Sequence, residues 1–453
     1  MSLIADIFSV DEYKRGRNAP QKCNVMDTHG RSIMPLKSLT LDLPPSCIEF
    51  CPGHPDYFVV GTYNLQKEDN ADTGVSSGDD QEQHQVKKTQ TRDGSLVLFK
   101  LLETVDIKHV QTVPYPSALL DLHFHPSRED STVLAVVSST GSLSFFKLSA
   151  SEEYPASLKE IGTHKPLSDD EGVLLLSCSW HPHIPELLAI TTSNYEVHIL
   201  RVTDSWDVSK TSDGPVITHT LEAWTVAFSS LTPSKPSSDA AGSPEESSEQ
   251  FAVFSGGDDS KLLTTNCTYY SARIDTEESL VETSYPPIAF KGHEAGVTAI
   301  LPLNLQVSSH DSVVVTGSYD DYIRVYAIDE QRKGMPPYRP RLLAEQNLQG
   351  GVWRLKLIRL EKATENTKGD SQHWKVFILA SCMHAGSRVL EISGGTESQL
   401  CEIKILGRFE EHKSMNYGSD FQPGSETGGR NLRCVSTSFY DKLLCLWEYQ
   451  YLF

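Results

Sequence analysis

The sequence predicts an all-β fold, a seven-bladed β-propeller, and three observations carry that prediction. Helical periodicity is almost absent, and short β-branched and aromatic runs bounded by Gly, Asp, Ser and Pro stand in its place. One turn-and-strand pattern recurs seven times, as DGSLVLF (93–99), TGSLSFF (140–146), NYEVHIL (194–200), DSKLLTT (259–265), DDYIRVY (320–326), HAGSRVL (384–390) and DKLLCLW (441–447). Each copy follows another apolar strand, such as VLAVVSS, LLAITTS or VVVTGSY. Short strands repeated at such a period read as the blades of a propeller.

Taken in chain order, residues 1–35 precede the ring as an N-terminal extension placed to cover one face, and residues 36–453 form the propeller. LKSLTLDLP (36–44) alternates and is expected to be the outer strand of the last blade. It closes the ring and protects an edge that a free strand would expose. The innermost strands are CIEFCP, LLDLHFHP, LLSCSWHP, WTVAFSS, GVTAILP, GVWRLKL and YGSDFQP. Blades longer than the usual about 40–45 residues follow from insertions. Residues 66–92, 230–249 and 361–372 are polar, cannot bury a core, and are expected to be flexible surface loops. The first contains GVSSG, but without the strand and helix that a nucleophile elbow requires.

Composition narrows the function. With 40 basic against 60 acidic residues, the net charge of −20 disfavours direct contact with nucleic acid or anionic membranes and suits a cationic partner. Nine scattered cysteines without a CxxC read as reduced thiols of an intracellular protein. No apolar run is long enough for secretion or membrane insertion, so a cytoplasmic location is expected, with a monomer as the default state. HFH (123–125) and WHPH (180–183) lack completing ligands at recognised spacing, so no metal is expected. There is no phosphate loop or dinucleotide fingerprint, and no cofactor is expected.

KGHEAGVTAI with VVVTGSYDDYIRVY is a nearly complete WD repeat, containing Gly292, His293, Asp320 and Tyr326. The last blade repeats it with His412, Asp441 and Trp447, and these residues read as structural. The ordered motifs GTY, LEAW, SGGDD, TGSYDD, GGVWR, CMHAG, YGSDF and STSFYD are narrower. With them the chain resembles the WD-repeat diphthine methylesterases of diphthamide biosynthesis, most clearly over residues 219–449. The ending LWEYQYLF departs slightly from their LWEW-like close. The resemblance implies hydrolysis of the methyl ester on the modified histidine of translation elongation factor 2, giving diphthine and methanol. A non-catalytic scaffold or adaptor, for instance in endosomal traffic, is the competing reading, because propellers are common platforms.

Ester hydrolysis needs a nucleophile, a base and oxyanion donors, and the implied substrate carries a trimethylammonium group beside the ester. Aromatic faces and carboxylates hold such a cation. Positions expected to face the channel mouth are Glu222, Trp224, Asp258, Tyr319, Trp353 and Tyr440, the candidate substrate-binding set. His384 stands where Asp320 stands in the preceding blade, and Leu348 replaces the histidine that would pair with it. A base role for the freed imidazole, acting on water, Ser381 or Cys382, competes with a purely local turn contact. Arg354 is the candidate oxyanion donor and Asp420 the candidate orienting group, although each could serve only a rim pair or a turn.

Overall fold

The second strands of the blades, such as VLAVVS and LLAITT, are near-continuous runs buried on both faces, so each sheet must be covered by its neighbours. The computed structural model of the chain describes residues 30–65, 92–151, 153–167, 172–233, 248–308, 311–329, 340–362, 373–395, 401–425 and 431–451. They form seven sheets, the seven blades of a propeller, with antiparallel neighbours except at the edge of blade six. The insertions expected at 66–92, 230–249 and 361–372 lie outside the described residues except at their flanks. Innermost strands are Pro45–Phe50, Leu119–Phe124, Leu175–Trp180, Ala223–Phe228, Val297–Gln306, Arg354–Lys362 and Gly418–Phe421, one per blade. Among the described residues no helix is long and apolar enough to cross a membrane.

The ring closes as the alternation of 36–44 implies. Lys37–Thr40 pairs antiparallel with Leu443–Gln450 and becomes the outer strand of blade seven. Just before it, Arg31–Ile33 adds a parallel strand to Glu402–Phe409, the outer strand of blade six. Ile33 packs there against Phe409 and Tyr449. One short segment thus ties the outer edges of two adjacent blades.

Five innermost strands begin with a register shift, at Pro45/Cys47, Leu119/Asp121, Leu175/Ser177, Ala223/Thr225 and Val297/Ala299. A bulge inserts one extra residue and re-aims its side chain. In blades two, three and four the extra residues are Leu120, Leu176 and Trp224, and all three join the apolar cluster at the channel mouth.

Blades four, five and seven carry the buried polar set of the repeat. His293 bonds Thr316 Oγ1 at 2.9 Å, and His412 bonds Ser436 Oγ at 2.8 Å, with Trp447 donating to the same oxygen. In blade four His219 joins Asp259 at 3.0 Å and Ser255 at 2.9 Å. Burial pushes the His293 and His412 imidazoles down to about 4, and buried His181 to about 3. All three are neutral when folded but protonate near 6.5 when unfolded. The unfolded chain then binds more protons between pH 6.5 and 4, so stability is lost as pH falls through that window. The expected slope is about 1.4 kcal/mol per pH unit for each histidine. Urea midpoints measured from pH 7 to 4.5 should fall steeply, and His293→Gln should flatten the fall.

Candidate active site

The mouth of the ring is lined with aromatic rings that reach it from several blades. Trp353 is their hub. Its ring centroid lies 6.0 Å from that of Trp224, 5.8 Å from Tyr319 and 5.0 Å from Tyr417. Tyr417 continues to Phe439 at 5.6 Å, and Phe439 to Tyr440 at 5.1 Å and Tyr63 at 6.0 Å. The GGVWR segment is shaped by the same packing. A Cβ on Gly350 would meet Cys382 O at 2.4 Å, and one on Gly351 would meet Met383 Sδ at 2.7 Å. Only glycines let the Trp353 segment lie so close to the 381–386 turn.

One carboxylate, that of Asp258, stands at one side of this cup. Asp258 Oδ1 accepts a hydrogen bond from Trp224 Nε1 at 3.1 Å. The Glu222 side chain belongs to a buried residue, and its carbonyl accepts the Asp258 amide at 2.9 Å. The Tyr319 hydroxyl is buried and has no hydrogen-bond partner among the described residues. Burial, with Tyr417 and Asp258 nearby, raises that phenol well above its usual range, so it keeps its proton.

Below the rings, charged side chains of four blades meet across the channel. Arg354 Nη2 of blade six reaches Asp121 Oδ1 of blade two at 3.0 Å. Lys356 Nζ bonds Glu49 Oε1 at 2.8 Å and Asp420 Oδ2 at 3.0 Å. His123 lies between Glu49 at 3.3 Å and Asp121 at 3.4 Å. Burial alone would lower the His123 imidazole, but the two carboxylates hold it up at about 10. Burial likewise works against Glu49, which Lys356 and His123 hold down at about 2. Three carboxyl groups therefore face three basic groups, and His123 is a cation at neutral pH rather than a base.

The sequence-derived candidates divide between these layers. Trp224 and Tyr319 each pack on Trp353, and Tyr440 joins them through Phe439 and Tyr417. Asp420 is engaged by Lys356 and by the Phe50 amide at 2.8 Å, and no hydrogen bond joins it to His384. Arg354 lies between cup and network, its guanidinium carbon 5.6 Å from the Trp353 ring centroid. His384 is exposed on its turn, next to Met383 of the cup, and interacts electrostatically with Asp321. Cys382 is fully buried, and that burial pushes its thiol up to about 12, which disfavours a thiolate.

Blade six explains the unusual imidazole. Counting back from His384 as from Asp320, Ala380 stands for Thr316, and counting forward Leu390 stands for Tyr326. With Leu348 these side chains are fully buried in one apolar cluster. Hydrocarbon has replaced the histidine, hydroxyl and aromatic of the repeat, so the turn that carries His384 is held by its own backbone bonds and by Arg388 donating to the Ala385 carbonyl at 2.7 Å. Sequence reasoning missed the network because Glu49, Asp121, His123 and Lys356 come from three separate blades. It missed His219 because no glycine precedes that histidine. The HFH run signalled the lumen only weakly: His123 faces it, whereas His125 packs 4.5 Å from Trp180.

A protein of Schizosaccharomyces pombe named diphthine methyltransferase is 30% identical over 416 residues, spanning 92% of this chain and 98% of that protein. The chain belongs to the diphthine methyltransferase family. Mouse and human diphthine methyltransferases are 25% and 26% identical, over 87% and 85% of this chain and 70% and 74% of theirs. No protein-family model matches. Among solved structures, Sqt1 of Saccharomyces cerevisiae aligns with a TM-score of 0.51 at 12% identity, covering 93% of this chain and 99% of that one. Sqt1 of Chaetomium thermophilum gives 0.50, also at 12%, over 89% and 82%. These likenesses show the propeller fold. The off-consensus GGVWR and CMHAG segments of this diphthine methyltransferase family chain are the two that pack on each other at the cup.

Proposed function

We propose that the chain is a cytosolic carboxyl methylesterase that hydrolyses the methyl ester of methylated diphthine on elongation factor 2, releasing diphthine and methanol. The family's name refers to methyl transfer, whereas in this reaction water adds to the ester carbonyl and the methyl group leaves as methanol. The observation that carries the reading is the aromatic cup with Asp258 on one side and Arg354 beneath it. A trimethylammonium group is attracted to ring faces within about 6 Å of their centroids, and a nearby carboxylate adds to that attraction. The ester beside the cation then lies toward the guanidinium.

His384 takes a proton from a water molecule as its oxygen bonds to the carbonyl carbon. Arg354 donates to the oxyanion that forms. Collapse of the tetrahedral intermediate expels methoxide, which takes the proton back from His384, leaving methanol and a carboxylic acid that loses its proton to solvent. Tyr319, Trp224, Trp353, Tyr440, Glu222 and Asp258 bind the substrate in this scheme, and Asp420 acts through Lys356 rather than on the imidazole.

The test uses purified chain, elongation factor 2 bearing the methylated intermediate, and mass spectrometry of the modified peptide, with no methyl donor present. Conversion of ester to acid is expected. Binding of the factor without conversion would leave the scaffold reading standing, and a gain of methyl mass on adding a donor would make it a transferase. His384→Ala is expected to lower kcat about a hundredfold with little change in KM. Trp353→Ala is expected to lower kcat/KM about thirtyfold, through loss of cation binding. Unchanged turnover by a folded His384→Ala variant removes that residue from the mechanism.

A further inference from the structure

The orientation of the channel network carries an inference of its own. Its acids are drawn back against the blades: the side chains of Asp121, Asp420 and Glu49 are 2%, 4% and 14% exposed. Those of Arg354, Lys356 and His123 are 21%, 28% and 32% exposed. Backbone and hydroxyl donors hold the acids in place. Asp420 accepts the amides of Phe50 and Phe421, Glu49 accepts that of Phe124, and Asp121 accepts Ser177 Oγ and the Cys178 amide. The cations therefore form the surface that solvent meets.

These cations also have donors to spare. A lysine ammonium has three N–H groups and a guanidinium five. Lys356 uses two, on Glu49 and Asp420, and Arg354 makes its ion pair through Nη2. None of their nitrogens is buried without a partner, so the remaining donors are within reach of solvent.

We propose that Arg354 and Lys356, facing the lumen beneath the aromatic cup, form a subsite for a small carboxylate. The ring then has two complementary compartments, a cation cup above and an anion seat below, with Arg354 at the boundary. A molecule that carries a quaternary ammonium and a carboxylate side by side engages both. The identity of the natural occupant, the acid product, rests on the esterase reading. The existence of the seat does not.

Titration calorimetry on the purified full chain, with three probes, tests this. The probes are trimethylglycine, tetramethylammonium chloride and sodium acetate. Trimethylglycine is expected to bind about tenfold more tightly than tetramethylammonium, because charge-assisted hydrogen bonds to the carboxylate add to the cation contact. Arg354→Gln should abolish that difference while leaving tetramethylammonium binding intact, and Arg354→Lys should restore part of it. Equal binding of trimethylglycine and tetramethylammonium by the wild-type protein overturns the seat and leaves the cup standing, whether or not Arg354→Gln folds. Acetate binding that Arg354→Gln removes, with no tetramethylammonium binding, supports the seat and overturns the cup. Binding of none of the three overturns both.

Discussion

Lys356→Met is expected to destabilise the protein by about 3 kcal/mol, because it leaves Asp420 in the lumen without its counter-ion and Glu49 with His123 alone. The Lys356 ammonium bonds both Glu49 and Asp420, and burial already pushes the Asp420 carboxyl up despite that contact. Removing the ammonium leaves two acids facing each other across blades one and seven. Urea denaturation at neutral pH measures the effect. The triple change Glu49→Gln, Lys356→Met, Asp420→Asn should recover most of it, since loss of the whole set removes the unpaired charge as well as the pair. A Lys356→Met protein that unfolds at the wild-type urea concentration would show the network to be energetically idle.

The second large effect is expected at the ring closure. Deletion of residues 1–40 removes Lys37–Thr40 from blade seven and Arg31–Ile33 from blade six. It strips the hydrogen bond from Leu36 N to Leu446 O and leaves the one from Leu41 N to Lys442 O at a new chain end. It also removes the Ile33 side chain from its apolar cluster. Together these losses are on the order of 5 kcal/mol, about half from the buried isoleucine and the rest from pairing. Deletion of residues 1–35 should cost less, because it spares Lys37–Thr40. Thermal unfolding of the two truncations compares them directly. Equal melting temperatures would mean that closure contributes nothing beyond the blade-six strand.

The ring was legible in the sequence because a strand pattern at period two, repeated seven times, has few other solutions. Each innermost strand falls on the segment that its apolar run marks, from CIEFCP to YGSDF, although the strand of blade five continues through Pro302 to Gln306 and that of blade six has no Pro or Ser to end it. The outermost strands were harder to read. In blade three that position is shared by Val208–Lys210 and Ile217–Thr218, and in blade four by Val281–Thr283 and Ile288–Phe290, runs too short to alternate visibly. At the site, the WD pattern gave the turn positions that bring Trp353 beside Tyr319. It could not give pairings across the axis, because a repeat fixes where a residue lies in its own blade and says little about its partner in a distant one. The Arg354–Asp121 contact is of that kind. So is the role of Asp420, whose neighbour in space is Lys356 from the preceding blade.

The closing strand also sets a timetable for synthesis. Ser38 and Cys445 are 407 residues apart and lie side by side when folded. At about 5–20 residues per second, a ribosome needs roughly 20 to 80 s to cover that distance. Throughout that interval the N-terminal strand has no partner, and the first blade lacks the neighbour on its open flank. Contacts so distant in sequence form slowly even once both ends are available. The ring can therefore close only after Leu443–Gln450 has been made, and until then an open strand edge is exposed.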